Sequence, residues 1–167
     1  MSTHTEGRLN FDFKRALGVD KLDAPGEPKP HGMSFVDFVV EEERRCLLIE
    51  VKDPEGVSSE HRASEMKKYL KKIEGDGLIF EELVPKTRDS YTFLHLMGRD
   101  DKAFILVAVL GIGSPDMALL GDFKNRLLRR LRKETSVQWV RQYVKDCIVV
   151  TPEIWNSVFS AYPLSGI

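Results

Sequence analysis

Residues 33–53, MSFVDFVVEEERRCLLIEVKD, read as two apolar strands joined by the charged turn Glu42-Glu43-Arg44-Arg45. Side chains alternate between faces along a strand. One face of this hairpin carries Val36, Phe38, Val40, Leu47, Ile49 and Val51. The other carries Phe35, Val39, Cys46 and Leu48, together with Asp37, Glu50 and Lys52. Strands that are apolar on both faces must be covered on both. That excludes a hairpin lying on water. It asks for an α/β fold in which helices flank both faces of a mixed sheet.

With the turn centred between Glu43 and Arg44, Asp37 falls directly across from Glu50. Opposed residues of an antiparallel pair have Cβ atoms roughly 4.5–5.5 Å apart. Two carboxylates and the Lys52 ammonium therefore converge on one patch. A slip of one residue would send Asp37 to the other face. Buried charges need partners, and a divalent cation is one solution. Hard cations such as Mg²⁺ take one or two carboxylates, waters and a substrate phosphate. Asp37, Glu50 and the Val51 carbonyl could supply such a set, leaving Lys52 for a water or a phosphate oxygen.

Asp37 followed by Glu50-Val51-Lys52 resembles the PD-(D/E)xK signature shared by restriction endonucleases, RecB-type nucleases and many repair enzymes. The string alone is common, since an acid two residues before a Lys occurs six times in the chain. Only Glu50 ends an apolar strand whose predecessor carries an acid at the facing position. Val36 stands where the family has Pro, and the Gln-x-x-x-Tyr motif of RecB-like members is absent. Many members add an acid from a first helix, for which Asp12 and Asp20 are the candidates here.

The resemblance implies a restriction-endonuclease-like core and metal-dependent phosphodiester hydrolysis, with Asp37, Glu50 and Lys52 as catalytic residues. It implies Mg²⁺ or Mn²⁺ on Asp37, Glu50 and Val51, and a nucleic-acid substrate, DNA by analogy with most of the family. By the same analogy it suggests a bacterial repair or phage-defence role and allows a homodimer. Two alternatives remain: a non-catalytic module that docks nucleic acid or protein on the same fold, and a structural domain in which Lys52 merely pairs with a carboxylate.

The length of 167 residues, with 42% apolar and 31% charged, fits one globular domain spanning residues 1–167. No apolar run approaches the ~20 residues of a membrane span. The polar opening residues lack a signal-peptide core, so the expectation is a cytoplasmic protein without membrane contact. Cys46 and Cys147 read as core thiols, and the histidines at 4, 31, 61 and 95 show no ligand spacing. A net charge of −1 argues against coating nucleic acid through bulk charge and leaves local clusters to decide.

Along the chain, residues 1–9 read as loosely held and 11–22 as a short helix, followed by a loop with three prolines. Past the turn at 53–56, Ser58 or Ser59 caps a helix whose stripe is Met66, Tyr69, Leu70 and Ile73. Lys67, Lys68, Lys71 and Lys72 flank it as a solvated face or a phosphate-facing edge. A second helical region, broken or kinked at Pro85, has Leu78, Ile79, Leu83, Leu94 and Met97 as core. Residues 86–90 within it read as a surface turn capped by Thr87 or Asp89. Alternatively, Lys86 and Arg88 are carried to the site as nucleic-acid contacts.

Residues 102–110, KAFILVAVL, form a buried central strand. Gly111-Ile112-Gly113 ends it, without the remaining residues of a nucleotide-binding loop. Ser114-Pro115-Asp116 opens a basic helix over 115–133 with Leu120, Phe123, Leu127 and Leu131 inward. Its Arg126, Arg129, Arg130 and Lys133 are either phosphate contacts or favourable charge at a helix C-terminus. A strand over 144–150 and a last helix from Thr151, with Ile154, Val158 and Phe159 inward, complete the expectation.

Overall fold

The computed structural model describes residues 3–54, 60–113 and 116–166. The Ser58 or Ser59 cap, the end of the turn at 53–56 and the Ser114-Pro115 helix start lie outside the described residues.

A five-stranded sheet organises the chain. Its strands are β3 (Gly18–Asp20), β4 (Phe38–Glu41), β5 (Arg45–Lys52), β6 (Ala103–Leu110) and β9 (Asp146–Val150), in that spatial order. β3, β4 and β5 form an antiparallel meander, and β6 and β9 continue it in parallel. The class is α/β with a mixed sheet. Phe38 faces Ile49 and Val39 faces Leu48, which is the register expected from the turn.

One face is covered by three helices: α1 (Arg62–Glu74), α2 (Val84–Leu96) and α3 (Met117–Arg132). Val39, Cys46, Leu48, Leu106, Ala108 and Leu110 meet Tyr69, Ile73, Leu94, Phe123 and Leu127 there. The opposite face differs from the expectation of helices. It is covered by a small antiparallel sheet of β1 (Thr3–Glu6), β2 (Leu9–Asp12) and β10 (Leu164–Ser165), plus the short α4 (Pro152–Val158). Phe38, Leu47, Ile49 and Val107 pack there against Leu9, Phe11, Phe13 and Trp155. A small pair, β7 (Lys133–Glu134) and β8 (Val137–Gln138), follows α3.

The expected helix over 11–22 is therefore absent, and residues 3–9 are strand-bound rather than loose. The pattern Leu9, Phe11, Phe13 has period two, not the period of a helix, and all three side chains are buried. Other corrections are local. Met97 and Val158 are exposed, and Trp155 takes the inward place in α4. Asp116 itself caps α3, accepting the amide N–H groups of Ala118 at 2.9 Å and Leu119 at 3.4 Å.

Pro85 does not break the second helix. A π-helical turn, Ile79–Leu83, leads directly into α2, and Pro85 sits in the first turn of α2. Proline lacks an N–H and crowds the carbonyl four residues back, and a widened turn relieves both problems. Residues 86–90 are consequently helical. Thr87 is fully buried and donates its hydroxyl to the Leu83 carbonyl at 2.6 Å instead of capping anything.

A candidate acid–acid–lysine site at the end of β5

The site forms where β4 leaves its partner. The ladder to β5 stops at Phe38 because α2 claims the backbone just before it. The Ser34 N–H donates to Asp89 Oδ2 and the Val36 N–H to Ser90 Oγ, both at 3.0 Å. Val36 thereby swings into the helix-side core, away from the face of Phe38 and Val40. The Val51 N–H loses its strand partner, and the Asp37 carboxylate takes it at 2.7 Å. The N–H and C=O of one strand residue point to the same side. The Val51 carbonyl is thus directed at the edge where Asp37 stands.

Glu50 and Lys52 project to the helix side of β5, as expected. Glu50 is 1% exposed and Asp37 6%. Glu50 Oε1 meets Lys86 Nζ at 2.5 Å and Lys52 Nζ at 2.8 Å. Its second oxygen, Oε2, is buried with no hydrogen-bond partner among the described residues. Lys52 also pairs with Glu82 of the π turn, which Lys72 approaches at 3.7 Å. Glu82 and Lys86 are four residues apart, so one helix face delivers both to the site.

Burial raises the Asp37 carboxyl to a pKa of about 7, and the nearby Glu50 charge adds to the effect. The Val51 N–H and Lys86 oppose it incompletely. Burial alone would lower the Lys52 ammonium, but Glu50 and Glu82 outweigh it and hold the group above the ordinary lysine value. Lys52 is therefore a lasting hydrogen-bond donor and positive charge, not a base.

The end of β5 is fixed from three directions. The Lys52 carbonyl accepts the Gly111 N–H at 2.6 Å and the Tyr69 hydroxyl at 3.2 Å. Asp53 is held by the Arg8 guanidinium, with Nε to Oδ2 at 3.0 Å and Nη2 to Oδ1 at 3.1 Å. A Cβ on Gly111 would meet the Lys52 carbonyl oxygen at 2.8 Å, so the approach of β6 to β5 needs glycine there. Beside Lys52 opens a cleft of about 350 Å³ lined by Lys68, Tyr69, Lys72, Leu78 and Glu82. Lys68 and Lys72, on the flank of α1, therefore border the site.

The structure sorts the remaining candidates. Lys86 reaches the site. Arg88 turns away and pairs with Glu134 at 2.7 Å. Arg126 is committed to its own chain: it bonds Asp122 and Asp76 at 2.8 Å and the carbonyls of Ile73 and Gly75 at 2.7 and 2.9 Å. These bonds tie α3 to the end of α1 and correct the reading of Arg126 as a phosphate contact. Arg130 lies over the Phe80 ring at 4.1 Å, and Arg129 is exposed. Asp12 and Asp20 pair with Lys14 and Arg99, so neither joins Asp37. The first-helix acid has no helix to stand on. Glu6 of β1 is instead close enough to push the Asp37 carboxyl upward.

Sequence reasoning missed Glu82, Tyr69 as a brace, and Gly111. Glu82 carries a signal in hindsight: Leu78, Glu82 and Lys86 follow a spacing of four residues, with Leu78 buried.

Among the described residues, no group of three or more His, Cys, Asp or Glu side chains could hold a metal ion. The available oxygen set is two carboxylates and one carbonyl. That suits a cation which keeps most of its water, as Mg²⁺ does, and not an all-protein cage. The orphaned, buried Glu50 Oε2 beside a second carboxylate fits such a group. Both cysteines are buried, with thiol pKa values pushed up by burial to about 11 for Cys46 and about 12 for Cys147, as inert core thiols should be.

No protein-family model matches the chain, and comparison with curated proteins and with solved structures returns no match. Among the described residues, no helix is long and apolar enough to cross a membrane.

Proposed function

We propose that this chain is a metal-dependent nuclease with a restriction-endonuclease-like core, hydrolysing phosphodiester bonds of nucleic acid, with DNA the favoured substrate. The observation that carries the reading is the convergence of Asp37, Glu50 and Lys52 where β4 peels from β5, with Glu50 Oε2 buried and unpartnered. A charge cluster buried to this degree is expensive to maintain without a use. The antiparallel meander followed by parallel β6 is compatible with the reading, although no helix precedes the meander among the described residues.

Asp37, Glu50 and the Val51 carbonyl would hold Mg²⁺ or Mn²⁺. When bound, such an ion polarises the scissile phosphate and lowers the pKa of an attacking water. Asp37 would serve as a ligand in its deprotonated form. Lys52, held protonated, would orient the water and stabilise charge growing on the phosphate oxygens. Glu82 pairs with the Lys52 ammonium. Lys86, on Glu50 Oε1, would supply a second positive charge beside the phosphate.

One observation favours a non-catalytic docking module on the same fold: two ammonium groups already occupy Glu50 Oε1. Calorimetry with Mg²⁺ and Mn²⁺ on the wild type, Asp37→Asn and Glu50→Gln, followed by incubation with plasmid and single-stranded DNA, separates the two. Metal binding and cleavage that disappear together in both variants support the nuclease. A wild type that takes up neither ion, with or without DNA, excludes it.

A further inference from the structure

A second cleft, of about 660 Å³, opens at the other end of the sheet. Its cations are Arg44 and Arg45 from the β4–β5 turn, Lys124 and Arg132 from α3, and Lys145 from the approach to β9. Ala103, Ile105 and Leu128 contribute apolar wall. Arg45 begins β5 and Lys52 ends it, so a full strand, about 23 Å at ~3.3 Å per residue, separates this cleft from the candidate active site.

Elsewhere most partly buried cations are paired, Arg130 over the Phe80 ring being an exception. Arg8, Lys21, Lys52, Lys86, Lys102 and Arg126 each meet a carboxylate. In the cleft only Arg45 does, through Glu42. There Lys124 and Arg132 are partly buried, and Arg44 and Lys145 are exposed. Among the described residues, Arg44, Lys124, Arg132 and Lys145 form no ion pair. The one acid in the lining, Asp146, accepts the Cys147 N–H through Oδ1 at 2.8 Å. Arg132 is half-buried, and its Nε is out of solvent without an acceptor.

Favourable charge at the C-terminus of α3 explains Arg132. It does not explain Arg44 and Lys145, which other segments bring to the same concavity. Converging like charges repel unless an anion or water lies between them. No aromatic side chain lines the cleft among the described residues, so it lacks a stacking platform for bases.

We propose that this cleft binds the phosphodiester backbone of nucleic acid, independently of the metal site and without reading sequence. It extends the nuclease reading by giving the same substrate a second, non-catalytic foothold. Phosphates would sit between Lys124 and Arg132 on one wall and Arg44 and Lys145 on the other. Contacts of this kind supply affinity and position, not base discrimination.

The test is fluorescence anisotropy of labelled single-stranded and duplex oligonucleotides in EDTA, over a range of salt. The proteins are the wild type, Lys124→Glu/Lys145→Glu, the control Arg15→Glu/Lys29→Glu with the same change in net charge on exposed residues outside both clefts, and Glu50→Gln. Thermal melts confirm that each is folded. The expected result is salt-dependent binding by the wild type, the control and Glu50→Gln. The cleft variant should bind at least about tenfold more weakly, with a salt slope reduced by roughly two. Equal binding by the cleft variant and the control overturns the proposal, as does a wild type that binds neither oligonucleotide at low salt. Cleavage of plasmid DNA, measured in parallel, keeps the two readings apart. Glu50→Gln that cuts like the wild type removes the metal site and leaves the cleft standing. Loss of cutting in Glu50→Gln with unchanged binding by the cleft variant does the reverse.

Discussion

Lys86 Nζ lies 2.5 Å from Glu50 Oε1, bringing a helix-borne ammonium to the carboxylate of a neighbouring strand. In the metal-free protein this ammonium neutralises a charge that a divalent cation would otherwise meet. Lys86→Met should leave Glu50 with Lys52 alone. Because one partner remains, the loss of stability should be roughly 1–3 kcal/mol, below the ~3–5 kcal/mol typical of stripping a buried charge of its only partner. Added Mg²⁺ should recover much of it and should bind the variant more tightly than the wild type. Melting temperature with and without Mg²⁺ is the measurement, and a variant indifferent to Mg²⁺ would count against the cation site.

The raised carboxyl of Asp37 predicts an unusual stability profile. Its folded pKa of about 7 lies above the ordinary 3.8, so the native state holds this proton more tightly than the unfolded chain. The contribution is fully present below about pH 4 and is lost as pH rises through 7, after which it is flat. By linkage the span is on the order of 4 kcal/mol at most. Chemical denaturation at pH 4.5, 6 and 8 (approximate settings chosen to bracket this window) should show the fall in wild type. In Asp37→Asn it should be absent.

Gly111→Ala tests how tightly the end of β5 is held. The added methyl meets the Lys52 carbonyl oxygen at 2.8 Å and Asp53 Cα at 2.9 Å, both backbone atoms that cannot swing aside. A cost of about 1–3 kcal/mol is expected. Any cleavage activity should fall further than stability does, because the displaced residue is the one after Glu50-Val51. Gly113→Ala, which meets nothing within 4 Å, is the control.

Arg126→Met separates scaffolding from nucleic-acid contact. It removes bonds to the Ile73 and Gly75 carbonyls and the Asp76 carboxylate, which join the end of α1 to α3, and a pair with Asp122 within α3. Stability should drop by roughly 1–3 kcal/mol, with the carbonyls contributing more than the exposed acids. DNA affinity of the folded fraction should not change. A selective loss of affinity would restore Arg126 to the binding surface.

The register of the hairpin was legible because both strands are apolar on two faces and the turn is strongly charged. The pairing of Phe38 with Ile49 followed from residue order alone, whereas Asp37 lies one residue past the end of that ladder and reaches the Val51 N–H instead. The N-terminal region was not legible in the same way. Its Leu9, Phe11, Phe13 alternation is short, and Phe13, Leu17 and Leu22 can equally be read at helical spacing, which is why a helix was expected there. Glu82 and Lys86 depended on a π turn absorbing Pro85, which no local periodicity announces. Arg126 shows the opposite failure: a cluster of cations suggests an anion, yet one of them was answered by two helix-end carbonyls that only the packing of α1 on α3 brings near.

The pairing of Leu164 with Phe11 has a consequence for how the molecule is made. The sheet behind the site needs β10 to close beside β2, so it cannot be completed until synthesis has passed Leu164. Until then Phe38, Ile49 and Val107 lack part of their cover, and the strands bearing Asp37 and Glu50 rest on an unfinished layer. Until β10 has joined β2, the residues of the site are therefore held without part of the backing that keeps them in register, a closure of long sequence separation.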